Sequence, residues 1–414
     1  MASLKSMTWC ECILDSNVHG EQQMGRTINS EQHRRLIKLR RELHQIPELG
    51  FEEKKTSDKI CEFLEEIGIP YVRGLAGTGI VATVTRGSAS RTIALRADID
   101  ALPITETSNL DYRSRHEGVM HACGHDGHTT MVLGAAQQLA RSENFDGTVH
   151  FVFQPAEEHG KGALKMIADG LFDRFPCDSI FGMHNLPWLE TGKFATCAGP
   201  IMGAEDNFEI RISGRGGHAA IPHEAKDALT IAASVICELQ TIVSRSVDPI
   251  QGAVVSCTEI HTDGATNVLP GDVVIKGDTR SFTPEVSERI EQRMKAIVAG
   301  LCAAHDAEGS VTYTRVFLPT INAPGESKRA ADAASTVAGP NNVASDYPPM
   351  LGAEDFGAML REVPGNYIFI GNKGPDGKGA TMLHNSSYDF NDDIIELGVA
   401  YWVRLVEAEL PKTI

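Results

Sequence analysis

No apolar run in this 414-residue sequence reaches the ~18 residues that a helix needs to cross a bilayer. The opening stretch, MASLKSMTWCECILDSNVHGEQQMG, lacks the continuous apolar segment of a secretory signal, and it lacks an arginine-rich amphipathic pattern. Residues 1–29 are therefore expected to form a poorly ordered leader, with Met24 as an alternative start. Positive charge is in deficit: 38 Lys and Arg stand against 55 Asp and Glu, a formal net charge of −17. That balance argues against nucleic acid or an anionic membrane surface as the main partner. A C-x-x-C pair is absent, and the nine cysteines are odd in number and scattered. Neither a disulfide framework nor a thiol-redox site is expected, and a reducing cytoplasm fits best. There is no internal repeat, low-complexity tract or heptad run.

What is present reads as an ordinary folded chain, too long for one core, so two or three domains are expected. Leu36, Leu39 and Leu43 recur at helical spacing over residues 30–45, and Pro47 ends that helix. A second helix is expected from about Lys54 to Ile67. Four short apolar runs then end in polar residues. TIALRADID (92–100) leads to two aspartates and GTVHFVFQPAEE (147–158) to two glutamates. SIFGMHNLP (179–187) leads to a histidine, and YIFIGN (367–372) is the fourth. Helical patterns lie between them at about 127–142 and 161–169. The alternation predicts an α/β fold with a mostly parallel sheet, in which ligands bind beyond the carboxyl ends of the strands.

The middle of the chain has a different order. Strands are expected at 207–214, 252–260, 271–282 and 310–318, with helices at 225–247 and 284–306. This β-α-β-β-α-β order is the ferredoxin-like unit. It predicts an inserted domain over 205–317, flanked by 30–204 and 318–414 as the two parts of one discontinuous domain.

The chemistry-bearing residues cluster first in HACGHDGH, residues 121–128. A thiol and an imidazole two positions apart, Cys123 and His125, both suit a borderline-soft divalent cation. They equally suit a buried structural cysteine beside surface histidines. Glu157 and Glu158 follow a strand too apolar to hold them inside the sheet. Extended neighbours point to opposite sides, so one carboxylate can bind metal while the other faces a water, the arrangement metal-assisted hydrolysis needs. A lone Glu-Glu pair is more often a solvated loop. His184 closes a third strand, His384 follows the last one, and Asp98 and Asp100 add carboxylates at a strand end.

The ordered series RRELHQIPELGFEE, RADIDALPI, HACGHDGH, QPAEE, GMHNLP, GRGGHAAIPH, TNVLP, GDTRSF, GAEDF and LHNSSYDFND spans residues 35–410. It resembles the metal-dependent amidohydrolases of the aminoacylase and carboxypeptidase superfamily, in the branch of hippurate hydrolases and auxin-conjugate hydrolases. The resemblance implies a di-metal α/β catalytic domain with an inserted ferredoxin-like lid that often dimerises. It implies that Cys123, His125, Glu158, His184 and His384 hold two divalent ions of the Zn, Mn, Ni or Co group, with Cys123 where a thiolate could bridge them. Glu157 would be the general base that activates the water and later protonates the leaving amine. His218, from the lid and in many members reaching the active site of the partner subunit, would stabilise the oxyanion. Asn267 and Arg280 would bind the substrate carboxylate or polarise the carbonyl. Other branches place a histidine ligand where this chain has Asp98, so Asp98 and Asp100 are expected to orient ligands rather than bind metal. One departure is EEHGKGA, where His159 and Lys161 stand in a segment usually richer in glycine.

The expected reaction is hydrolysis of the amide bond of an N-acyl amino acid or a small peptide-like conjugate. Cleavage of short peptides and deaminating hydrolysis are the alternatives on the same scaffold. A non-catalytic binding protein would lack a ligand or the base, and neither is missing. The expected partner is a second copy of the chain, as a homodimer or higher oligomer through the lid, with no nucleic acid and no membrane.

Overall fold

A computed structural model describes residues 27–412. The leader expected over 1–29 falls outside the described residues up to position 26. Its last residues belong to the fold: Ile28 is buried in the core and Asn29 caps the first helix, Ser30–His44. The Asn29 side chain accepts from the Glu31 and Gln32 amides, while Gln32 Oε1 accepts from the Asn29 amide at 3.0 Å. This capping box satisfies donors that the helix itself leaves orphaned. Asn29→Ala is expected to cost about 1 kcal/mol of stability, read as a lower urea midpoint with an unchanged slope.

The apolar runs become the centre of an eight-stranded sheet. Its order is Tyr71–Leu75, Gly79–Arg86, Gly147–Gln154, Thr92–Asp98, Ser179–Glu190, Gly365–Lys373, Phe194–Ala195, Val343–Ala344. The four middle strands, from Gly147–Gln154 to Gly365–Lys373, are parallel. Antiparallel pairings join the next strands on either side, and the edge strand Val343–Ala344 pairs parallel with Phe194–Ala195. Side chains of the middle strands are buried along most of their length, as a sheet covered on both faces requires. Alternation assigns them to two cores. Ile93, Leu95, Phe151 and Phe153 meet Leu36, Met131 and Trp402 on one side, whereas Ala94 and Val152 meet Met166, Phe356 and Met359 on the other.

A second, four-stranded sheet runs in the order Ala253–Thr262, Asp272–Ser281, Ala204–Ser213, Glu308–Phe317, with every pairing antiparallel. With helices Ala228–Thr241 and Pro284–Ala304 it has the β-α-β-β-α-β chain order. Phe208, Ile210 and Ile212 on the buried face pack with Ile231, Val235, Leu239, Ile290 and Met294. The helix expected from 225 starts later because the Asp227 side chain caps it, accepting from the Leu229 and Thr230 amides. Together with the π turn Ile242–Ser246 it is the one helix among the described residues that is long and apolar enough, by length and composition, to cross a membrane. That corrects the reading that no stretch qualifies. Its apolar stripe is occupied by the second sheet's core.

Candidate metal centre

The site lies at the carboxyl edge of the parallel strands. Gly124 is left-handed at φ 97°, and a Cβ there would collide with Asn185 Oδ1. The glycine turns the chain so that helix His125–Leu139 begins two residues earlier than its apolar pattern suggests. Cys123 and His125 are thereby buried beside the strand ends. His184 does not close its strand: Ser179–Glu190 continues for six more residues. It does outrun its neighbour, whose last pair is Arg96 with Gly182, so His184 still emerges at the sheet's edge. His384 sits in the loop after Gly365–Lys373 at φ 61°, with its amide donating to Ala122 O at 2.8 Å.

Glu157 and Glu158 occupy a turn, closed by Gly160 N to Glu157 O at 2.8 Å, rather than extended chain. The alternation argument therefore does not apply to them. Ala156, left-handed at φ 53°, swings the backbone off the strand just before the pair. Their carboxylates still part company. Glu158 lies toward His384 and Cys123, whereas Glu157 lies toward Glu354 and Asp355. Both are within reach of His125.

Among the described residues, donor atoms gather in five groups of three, the atoms of each within 4.8 Å of one another. Two of these groups are Cys123 with His125 and His184, and Cys123 with Glu158 and His384. Cys123 is common to both. Its Sγ is 3.3 Å from His184 Nε2, and His384 Nε2 is 3.5 Å from a Glu158 oxygen. His125 Nδ1 donates to Asp100 O at 3.0 Å, and His184 Nδ1 donates to Asn185 O at 2.7 Å. Each ring thus presents Nε2 to the cluster. His125 Nε2 and Glu158 Oε1 are buried with no hydrogen-bond partner. Orphaned buried atoms of this kind are costly unless a ligand satisfies them.

Asp98 accepts from His128 at 2.7 Å and from Arg96 at 2.8 Å, and Asp100 Oδ2 accepts the Glu158 amide at 3.1 Å. Asp98 also stands with His125 and His128 as a group of donors that could hold an ion, whereas Asp100 braces the His125 ring and the Glu158 backbone. His121 is buried without a partner for either ring nitrogen, and Asp126 turns away to His44 at 2.8 Å.

The sequence pattern assigned nothing to Arg96, Glu354 or Asp355. Arg96 is buried on the Phe356 side of the sheet and bonds Gln154, Asp98, Glu354 and Asp355 at 2.8–3.1 Å. The Asp355 amide lies 3.4 Å from Glu157 Oε1. A signal was available: an arginine inside an otherwise apolar parallel strand must have buried carboxylates around it. Burial raises the Glu157 carboxyl well above its usual range, and Glu354, Glu158 and Asp355 add to this. Burial likewise raises the Cys123 thiol, reinforced by Glu158. A buried thiol among carboxylates ionises only when cations stand beside it. The donor chemistry and the excess of acid over base around Arg96 therefore fit divalent cations.

Of the other expected residues, Arg280 lies in the second sheet, whereas His218 and Asn267 lie at a separate two-stranded ladder. His218 and Asn267 are neighbours across the short ladder that pairs Val268 with His218, and Ala219 N donates to Asn267 O at 3.1 Å. His218 is exposed, and it joins none of the donor groups among the described residues. The Arg280 guanidinium is already paired, with Glu205 at 2.7 Å and Asp278 at 3.0 Å. It also lies 3.4 Å from Leu351 O, so in this arrangement it ties the second sheet to the loop at Leu351 instead of offering an empty fork.

A parallel sheet that gathers imidazole, thiol and carboxylate at its carboxyl edge, with one carboxylate to spare, is an architecture suited to hydrolases of amide and peptide bonds. The chain belongs to peptidase family M20/M25/M40, whose profile matches residues 94–408. It is 39% identical over 368 residues to the hippurate hydrolase of Campylobacter jejuni, covering 89% of this chain and 94% of that protein. It is 36% identical over 370 residues to the IAA-amino acid hydrolase ILR1-like 2 of Arabidopsis thaliana, covering 88% and 83%. The crystal structure of the Bacillus subtilis YXEP protein, a dinuclear metal binding peptidase of the M20 family, superposes with a TM-score of 0.80 at 32% identity over 91% of this chain and 98% of that one.

Proposed function

We propose that this chain hydrolyses the amide bond of N-acyl amino acids, with Glu157 as general base. Cys123, His125, Glu158, His184 and His384 would hold two divalent cations of the Zn, Mn, Ni or Co group. The observation that carries the reading is the pair of orphaned atoms, His125 Nε2 and Glu158 Oε1, facing a buried thiol, with the Glu157 carboxylate spare beside them. When bound, the cations supply Lewis acidity to a water and to the amide carbonyl. Glu157 takes the water's proton as the oxygen–carbon bond forms, and hands it to the nitrogen as the carbon–nitrogen bond breaks. Asp100 would hold the His125 ring in its tautomer, and Asp98 would fix His128 beside the site. His218, on the short ladder with Val268, donates to the developing oxyanion as part of a lid, and Asn267 beside it helps polarise the carbonyl. For Arg280, reaching a substrate carboxylate means leaving Glu205. The relatives named for hippurate and for IAA–amino acid conjugates support acyl amino acids as the substrate class.

Exposed His218 has its use if two chains meet. The end strand Ala253–Thr262 and the exposed Leu229 and Ile260 offer a surface for a homodimer or higher oligomer. The cysteines among the described residues all stand free, which supports a reducing compartment such as the cytoplasm.

The test is chelation followed by reconstitution with each metal, assayed on N-acetyl and N-benzoyl amino acids, dipeptides and amine-bearing substrates. Chelation should abolish turnover, and one or more metals should restore release of free amino acid from the acyl conjugates. Cleavage of dipeptides alone would replace this reading with a peptidase one, and ammonia release with a deaminating one.

A further inference from the structure

The PELGFEE segment has no part in the reaction just described, yet its last residue reaches the site. Glu53 immediately precedes helix Lys54–Glu66, where a carboxylate ordinarily caps the exposed amides. It makes no such cap. Its side chain is fully buried and turned to a residue 103 positions away: Oε1 accepts the Ala156 amide at 2.9 Å. Oε2 accepts the Thr78 hydroxyl at 2.6 Å, and Thr78 O in turn accepts from Ser57 Oγ at 2.8 Å. The carboxylate is thus mounted rigidly at both ends.

The residue it holds is unusual. Ala156 is a non-glycine residue at φ 53°, a conformation that costs an L side chain about 1–2 kcal/mol and persists only where the surroundings impose it. The next two residues are Glu157 and Glu158. The loop bearing Glu53 is pressed against the same turn. A Cβ at Gly50 would come within 2.9 Å of Ala156 Cα and would strike the His159 ring. From the other side the Asp355 amide meets the Glu157 carboxylate at 3.4 Å.

We propose that Glu53 is a positioning residue: by clamping Ala156 in its left-handed turn it aims the Glu157 carboxylate at the reacting water. The inference rests on the reading of Glu157 as general base. It also assigns the PELGFEE segment a function that burial alone would not require. A glutamine can hold the same clamp, accepting from Ala156 and donating to Thr78 Oγ. Burial pushes the Glu53 carboxyl up to about 7, so a neutral side chain is a close substitute.

The experiment compares Glu53→Ala and Glu53→Gln in the parent and in the Glu157→Gln background. It measures kcat, KM, metal per subunit, and hydrogen exchange across residues 153–160 of the metal-free protein. In the parent, Glu53→Ala should lower kcat about 100-fold, the scale of a misplacement of about 1 Å. KM should stay within about twofold, metal should be retained, and the Ala156 amide should exchange faster. Glu53→Gln should recover to within about fivefold of the parent if position is what Glu53 supplies. In the Glu157→Gln background, Glu53→Ala should cost less than about threefold more, since residues acting as one unit are not additive. Parent-level kcat and exchange in Glu53→Ala would overturn the proposal. So would equal losses in both backgrounds, or a glutamine variant as poor as alanine. An active Glu157→Gln would instead refute the base assignment alone, while exchange at Ala156 still reports on the clamp. If Glu53→Ala does not fold, Thr78→Val removes one end of the clamp. It should lower kcat about tenfold, and an unchanged kcat there overturns the proposal.

Discussion

Glu157→Gln is expected to lower kcat by about a thousandfold to ten-thousandfold, the range carried by a positioned acid–base group, while the protein keeps its metal and its fold. The substitution is close to isosteric and removes only the ability to take and return a proton. Glu157 lies beside the donor set but in neither of the triads that share Cys123. Its environment suits a base. Burial, followed by the carboxylates of Glu354, Glu158 and Asp355, raises its proton affinity, so it can hold the water's proton and release it to an amine. Steady-state assay and elemental analysis of the same preparation check the prediction. A variant that retains its ions and turns over within about tenfold of the parent would remove Glu157 from the proton transfer.

Cys123→Ser should have the largest effect on metal content. Cys123 is the one residue common to the donor group with His125 and His184 and the donor group with Glu158 and His384, so its loss would touch both at once. A serine hydroxyl does not ionise under conditions where a coordinated thiol does, and its oxygen is a poorer match to a borderline-soft ion. Metal per subunit should fall from two toward one or none. Activity should drop more than the 10- to 100-fold typical of losing a residue that only orients a ligand. The contrast with Glu157→Gln is the informative part: one variant should keep metal and lose turnover, the other should lose both. Unchanged stoichiometry in Cys123→Ser would end its assignment as a ligand.

Much of the architecture is readable in the sequence because it is written locally. The runs 92–100, 147–158, 179–187 and 367–372 each became a middle strand of the large sheet, and the β-α-β-β-α-β order over 205–317 became the second sheet. Where boundaries moved, a single side chain or backbone angle moved them: Gly124 advanced one helix start and Asp227 delayed another. The donor types were readable too, since charged and soft residues cannot remain inside apolar strands and must collect at their ends.

Other features were not local. His184 works from the interior of a strand, because its neighbour Thr92–Asp98 stops pairing at Arg96. Glu157 and Glu158 diverge through a turn that a strained Ala156 begins, not through strand alternation. Arg96 meets Glu354 and Asp355, more than 250 positions away, only because the Phe356–Glu362 helix packs on the face of the sheet to which Arg96 points.

The sequence by itself determined the periodicities, the turn residues and the inventory of ligand-type side chains, because these depend on neighbours a few positions away. Only the tertiary structure decided which of those side chains meet. The order of parallel strands and the loops between them bring together residues as far apart as Glu53 and Ala156, or Cys123 and His384. Distances over such separations are set by how the sheet closes its connections, and no local pattern encodes them.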